Sequence, residues 1–149
     1  MSNTKKQKNY LYHGLGFPIL LEEAEFRNVG GKWLLKVNVQ EIADAIIRLL
    51  PTKPMGLTGA EVRFIRTYFN LSKRGFAKEL NVSHTAVNKW EDTDGHRAKI
   101  DPHVEIALRS FIKIKLQEED DFSDFYKEMM EISKRFGIKA KQQPLSIAV

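Results

Sequence analysis

Residues 72–91, SKRGFAKELNVSHTAVNKWE, constrain the chain more than any other stretch, because they spell a helix, a tight turn and a second helix. The Ser72 hydroxyl can cap the first helix, in which Phe76, Ala77 and Leu80 form an apolar stripe at i, i+1 and i+4. Asn81 stands where the chain must reverse, and asparagine tolerates the left-handed conformation that ends helices. Ser83 caps a second helix, His84 to Glu91, that buries Val87 and Trp90 and turns His84, Thr85, Asn88 and Lys89 outward. Two caps, a turn residue and two stripes agree within one short segment.

The flanking sequence supplies a core for this pair. Thr58 and Glu61 form a capping box ahead of a helix with Val62, Ile65 and Phe69 on one face. Downstream, Asp92–Ile100 reads as a polar loop holding His96 and Arg97. Asp101-Pro102 then opens a helix that buries Val104, Ala107, Leu108, Phe111 and Ile112. Glu118–Asp121 is an acidic break between helices. A last helix, Ser123 to Phe136, aligns Phe125, Met129, Ile132 and Phe136 and stops at Gly137.

The N-terminal third follows a different period. Ile19–Phe26 is strand-like, Asn28–Gly31 is a turn, and Lys32–Val37 is a second strand. Phe26, Trp33, Leu35 and Val37 would supply the buried side of this hairpin. Asn38 to Glu41 is another capping box, before a helix with Ile42, Ala45, Ile46, Leu49 and Leu50 on one face, ended by Pro51. The expected fold is α+β and mainly α. A basic flexible arm (1–9) precedes a hairpin-plus-helix module (10–50) and a Pro/Gly linker (51–57). A helix-turn-helix domain (58–117), a C-terminal helix (118–137) and a flexible tail (138–149) complete it.

Residues 57–95 resemble the lambda-repressor/Cro-like (XRE) helix-turn-helix family through Ser72, Phe76, Ala77, Leu80, Val82, Ser83, Val87, Trp90 and Glu91. The resemblance implies a five-helix domain whose second motif helix enters the DNA major groove. It also implies an ion pair between Arg66 and Glu91, base reading by His84, Thr85 and Lys89, and phosphate contacts by Lys73 and Ser83. The chemistry suits these roles. Lysine can donate to guanine, threonine can bond or pack its methyl on thymine, and histidine can do either. Asn88 is a further base-reading candidate, since its amide matches adenine, or else a residue facing sideways. Arg74, beside the helix start, is read as a phosphate contact and Lys78 as surface charge. Arg97, in the loop after the second helix, is placed to reach the DNA backbone. Lys73 departs from the family's glutamine, keeping the charge and losing the amide's geometry. Gly75 is unusual within a helix, and a close backbone approach by DNA or a neighbouring helix would explain it.

Composition fits a polyanionic partner. The 149 residues are 42% hydrophobic, enough for a core, and carry a net charge of +5. The isoelectric point is near 9.4. With no cysteine, disulfides and thiolate zinc sites are excluded and a reducing cytoplasm fits. There is no membrane-spanning run, no secretory signal pattern, no phosphate loop, no nucleophile elbow and no metal-spaced histidine pair, so neither an enzyme nor a cofactor is expected. The N-terminal pattern, GLGFPILL then strands, a helix and LTGAEVRFIR, also resembles MqsA-type antitoxins, although those carry two Cys-x-x-Cys zinc pairs. The expected function is a sequence-specific, autoregulatory repressor that binds a palindromic double-stranded operator as a homodimer, paired through residues 101–136. The alternative is a type II antitoxin that neutralises a cognate toxin through its N-terminal module.

Overall fold

The computed structural model describes residues 3–117, 122–137 and 142–148. It is α+β and mainly α, with a small sheet at the N-terminal end followed by helices. The chain divides into two compact units, residues 1–46 with 143–149, and residues 47–142.

The first unit holds a four-stranded sheet: β1 (Thr4–Tyr12), β2 (Ile19–Val29), β3 (Lys32–Lys36) and β4 (Leu145–Ile147). β1 runs antiparallel to β2 from Thr4↔Arg27 to Tyr12↔Ile19. The other edge of β2 is shared. β3 pairs antiparallel with Glu25–Val29, and β4 pairs parallel with Ile19–Leu21. Gly30 and Gly31 both have positive φ, which gives the two-residue hairpin turn that matches strand twist. Asn28 Oδ1 accepts from the Gly31 amide at 3.0 Å.

Three expectations change here. Residues 4–9 are strand, not a flexible arm. Their lysines carry no apolar alternation, yet they suit an edge strand, where charge deters pairing with other chains. Part of the predicted tail is also strand, with Ile147 buried, while residues 138–141 and 149 lie outside the described ones. The buried side chains of the sheet are Ile19, Leu21 and Ala24 of β2 and Ile147 of β4, joined by Phe17 just before β2; Phe26, Leu35 and Val37 are only half-buried and Trp33 is exposed. The cause is a shift of the buried face along β2, from Ile19 and Leu21 to Ala24. Opposite that shift, Asn9 takes a left-handed φ of 57° between the paired Lys8 and Tyr10. The aromatic residues cluster at the surface instead. Tyr10 meets Phe26 edge-on at 5.3 Å, and Lys5 Nζ sits 4.6 Å from the Trp33 ring.

Helix α1 (Val39–Leu49) is capped by Asn38, whose Oδ1 accepts from the Glu41 amide, and its last turn falls in the second unit. Ile42, Ala43, Ile46 and Ile47 are its buried positions, followed by the buried Leu50 just past its end, whereas Leu49 is exposed and Ala45 half-buried. The second unit continues through a 3-10 turn (Leu50–Thr52), α2 (Gly59–Tyr68), α3 (Lys73–Leu80), α4 (His84–Asp92), α5 (Pro102–Leu116) and α6 (Phe122–Ser133). Residues 58–117 therefore contain four described helices, not five. The stretch after α4 is a loop stitched to the start of α2. The Ala60 amide donates to Asp94 O at 2.8 Å and the Ala98 amide to Leu57 O at 2.8 Å, and Ala98 is fully buried.

The segment 51–57 is packed core, not a spacer. Pro51, Lys53, Gly56 and Leu57 are buried, and the reason is Arg109. That guanidinium, 0% exposed, donates to Lys53 O at 2.5 Å, Met55 O at 2.7 Å and Glu105 Oε2 at 2.9 Å, and it stacks 4.4 Å from Phe136. Lys53 Nζ in turn reaches Glu61 Oε1 at 2.6 Å and Gln142 Oε1 at 2.7 Å. On α5 the buried set is thus Glu105, Leu108, Arg109, Phe111 and Ile112, with Val104 half-buried and Ala107 exposed. Helix α6 ends at Ser133 and a turn follows, but Phe125, Met129, Ile132 and Phe136 are all buried, packed with Ile106 of α5. That stripe is spent within the chain. The acidic segment 118–121 lies outside the described residues.

Candidate nucleic-acid interface

Helices α3 and α4 are built by the local rules their sequence carries. Ser72 Oγ accepts from the Gly75 amide at 3.0 Å, and Ser83 Oγ accepts from the Ala86 amide at 3.1 Å. Between them Asn81 adopts φ 56° and ψ 45°. The Val82 amide closes on Ala77 O at 2.9 Å and the Asn81 amide on Lys78 O at 3.2 Å, which satisfies two of the last four carbonyls of α3. Phe76, Ala77 and Leu80 are buried beneath α3, and Val87, Trp90 and Glu91 beneath α4.

The opposite side of α4 is open. At 100° per residue, His84, Asn88, Thr85 and Lys89 span an arc of roughly 140° that excludes all three buried positions. His84, Thr85 and Lys89 are exposed, and Asn88, between His84 and Thr85 on that arc, is half-buried. Lys73 and Arg74, the first two residues of α3, are exposed, as are Ser83 and Lys78. Neither helix has an acidic residue in its first turn. The two cations of α3 therefore stand against the positive end of its dipole, a mismatch that a bound anion relieves.

The orientation of α4 is fixed from α2. Arg66 grips Glu91 with two parallel bonds, Nε–Oε2 at 2.8 Å and Nη2–Oε1 at 3.0 Å, and its Nη1 donates to Leu71 O at 3.0 Å. Glu91 is 2% exposed, so the pair is nearly dry. Arg63, which sequence reasoning passed over, adds a bond from Nη2 to Glu91 O at 3.0 Å and stands 3.6 Å from Asp94. Its signal was its place one turn before Arg66, on the same helix face. Gly59 has a similar role. A Cβ there would lie 2.3 Å from Trp90 O, so only glycine lets the start of α2 approach the end of α4.

Two residues singled out by the sequence have local packing roles. Arg97 is half-buried, its backbone bridged to Thr58 and its methylenes packed toward Gly56. It belongs to the stitch between the loop and α2. Gly75 approaches no neighbouring helix. A Cβ there would meet the Ser72 cap oxygen at 3.2 Å and Leu71 at 3.8 Å. The residues present do not fit a structural zinc, because the chain has no cysteine and the described residues bring no three His, Asp or Glu together. No described helix is long and apolar enough to cross a membrane. No family model, curated protein or solved structure matches the chain.

Proposed function

We propose that the protein is a sequence-specific DNA-binding transcriptional regulator of the lambda-repressor/Cro-like kind, a cytoplasmic, dimeric repressor of its own operon. One observation carries this reading: α4 is capped, buried on one side and clamped by Arg66 and Arg63, yet the first turns of its open arc present the polar or cationic His84, Thr85, Asn88 and Lys89, with the one carboxylate of that arc, Asp92, at the helix's far end. Rigid support beneath an exposed polar face is what major-groove reading requires, since base contacts tolerate little misplacement. In this reading His84, Thr85 and Lys89 contact base edges, Asn88 lies between His84 and Thr85 as a further base-reading residue, and Lys73, Arg74 and Ser83 hold phosphates. The test is titration of the purified protein against its own upstream DNA and a scrambled duplex at several salt concentrations. Tighter binding to the upstream duplex, with a steep salt slope on both, is expected; equal, weak binding to both would sink the reading.

A second reading, an antitoxin that masks a toxin with its N-terminal unit, has one observation in its favour. That unit leaves Leu11, Val29, Trp33 and Leu34 between 39% and 53% exposed. Co-expression of the full chain with the product of an adjoining gene tests it. A complex that Leu34→Asp abolishes is expected, and no complex from any adjoining gene ends the reading.

A further inference from the structure

We infer that the groove between the C-terminal ends of α3 and α5 is where a second copy of this chain docks. The two helices meet through the Phe76 and Phe111 rings, whose centroids are 6.0 Å apart, and leave a groove of about 530 Å³ beyond that contact. Leu80 and Phe111 wall it, Ala107 and Ile114 project beside it, and Glu79 and Lys115 flank it. Ile114 is 73% exposed, more than any other large hydrophobic side chain among the described residues, and Ala107 lies two turns earlier on the same face.

The patch is self-complementary, and this points to a second copy over a different partner. A two-fold contact applies one surface to itself, so that surface must hold both the projection and its receptacle, and both signs of charge. Here Ile114 is the projection and the Leu80–Phe111 groove the receptacle. Glu79 can face Lys115 of the second copy, and Lys115 its Glu79. A nucleic acid would call for cations alone. The placement also fits reading of paired half-sites, a consequence that rests on the proposed DNA-binding function. Asn81, the residue that turns α3 into α4, is part of the groove wall, while His84, Thr85 and Lys89 are not. A partner seated there holds two reading helices at a set spacing and covers neither.

The experiment is sedimentation of the full chain over a range of concentrations, beside Ile114→Asp, Glu79→Lys, Lys115→Glu and the Glu79→Lys/Lys115→Glu double variant. The wild type is expected to dimerise. Ile114→Asp should raise the dimer dissociation constant by roughly thirtyfold or more, as loss of a central anchor does, with a melting temperature unchanged at protein concentrations low enough for the wild type to be monomeric. Each charge reversal should weaken the dimer and the double reversal should restore it. A fully dimeric Ile114→Asp, a double reversal weaker than either single one, or a wild type that stays monomeric with and without its upstream DNA would each overturn the inference. The DNA reading fails separately: a dimer with no preference for the upstream duplex sinks that reading alone, and a monomer that keeps the preference sinks only the docking surface.

Discussion

At the scale of single residues, the open arc of α4 and the start of α3 divide by the kind of contact their side chains can make. Lys89 and Thr85 stand on the exposed arc of α4, one carrying a donor and the other a hydroxyl and a methyl, so each can distinguish one base pair from another. Lys73 stands at the first position of α3, where a point charge meets any phosphate alike. Lys89→Ala or Thr85→Ala should therefore cost about 1–3 kcal/mol on the cognate duplex and relax specificity, while scarcely changing affinity for scrambled DNA. Lys73→Ala should weaken both duplexes equally and reduce the salt slope by about one. Competition titrations at several salt concentrations separate the two patterns. Equal losses on both duplexes for all three variants would remove the division of labour.

At the scale of elements, what was legible in the sequence is what local rules decide. The caps at Thr58, Ser72 and Ser83, the left-handed Asn81 and the buried pairs Phe76/Leu80 and Val87/Trp90 each depend on neighbours within four residues, and all stand as read. The Arg66–Glu91 pair came through resemblance, and its two-bond geometry bears the expectation out. What was not legible depends on partners far along the chain. Residues 4–12 have no apolar alternation, and only pairing with β2 makes them a strand. Glu105 and Arg109 fall at i and i+4 within an apolar stripe with Leu108 and Ile112, a pattern that marks them only once the carbonyls of residues 51–55 are known to face them. Two substitutions test the joint between α2 and α4. Arg66→Ala removes two bonds from the nearly dry Glu91 carboxylate and leaves it the Arg63 Nε at 3.5 Å, so it should lower stability by about 2 kcal/mol in urea unfolding. Gly59→Ala forces a methyl against the Trp90 carbonyl and should cost about 2 kcal/mol, the range for overpacking against backbone. A neutral Gly59→Ala would mean that α2 and α4 can separate there at no cost, and the clamp on α4 would then rest on arginines alone.

At the scale of the molecule, the buried charges Lys53, Glu61, Glu105 and Arg109 tie together parts of the second unit that are distant in sequence: the segment 51–57, α2, α5, Phe136 and Gln142. Such a cluster is a poor source of net stability, because desolvation offsets much of its attraction, but it is intolerant of alternative packings. Its mark is a pH dependence of definite sign. Burial holds the Glu105 carboxyl above its ordinary value of 4.5, against the opposing pull of the Arg109 guanidinium and the Leu57 amide. Burial likewise lowers Arg109, with Glu105 opposing. An acid raised in the folded state binds more protons folded than unfolded between its two pKa values. Its contribution is therefore greatest below the unfolded value and is lost as pH rises through the folded one. Glu105→Gln keeps the side chain's shape and removes the titration. The stability of the wild type relative to Glu105→Gln should consequently be highest near the carboxyl's ordinary value of 4.5 and below it, and decline as pH rises above that, read from urea midpoints of both proteins at a series of pH values. A difference that instead grows with pH would mean that the Arg109 pairing outweighs burial, and that the ionised carboxylate is the form the fold selects.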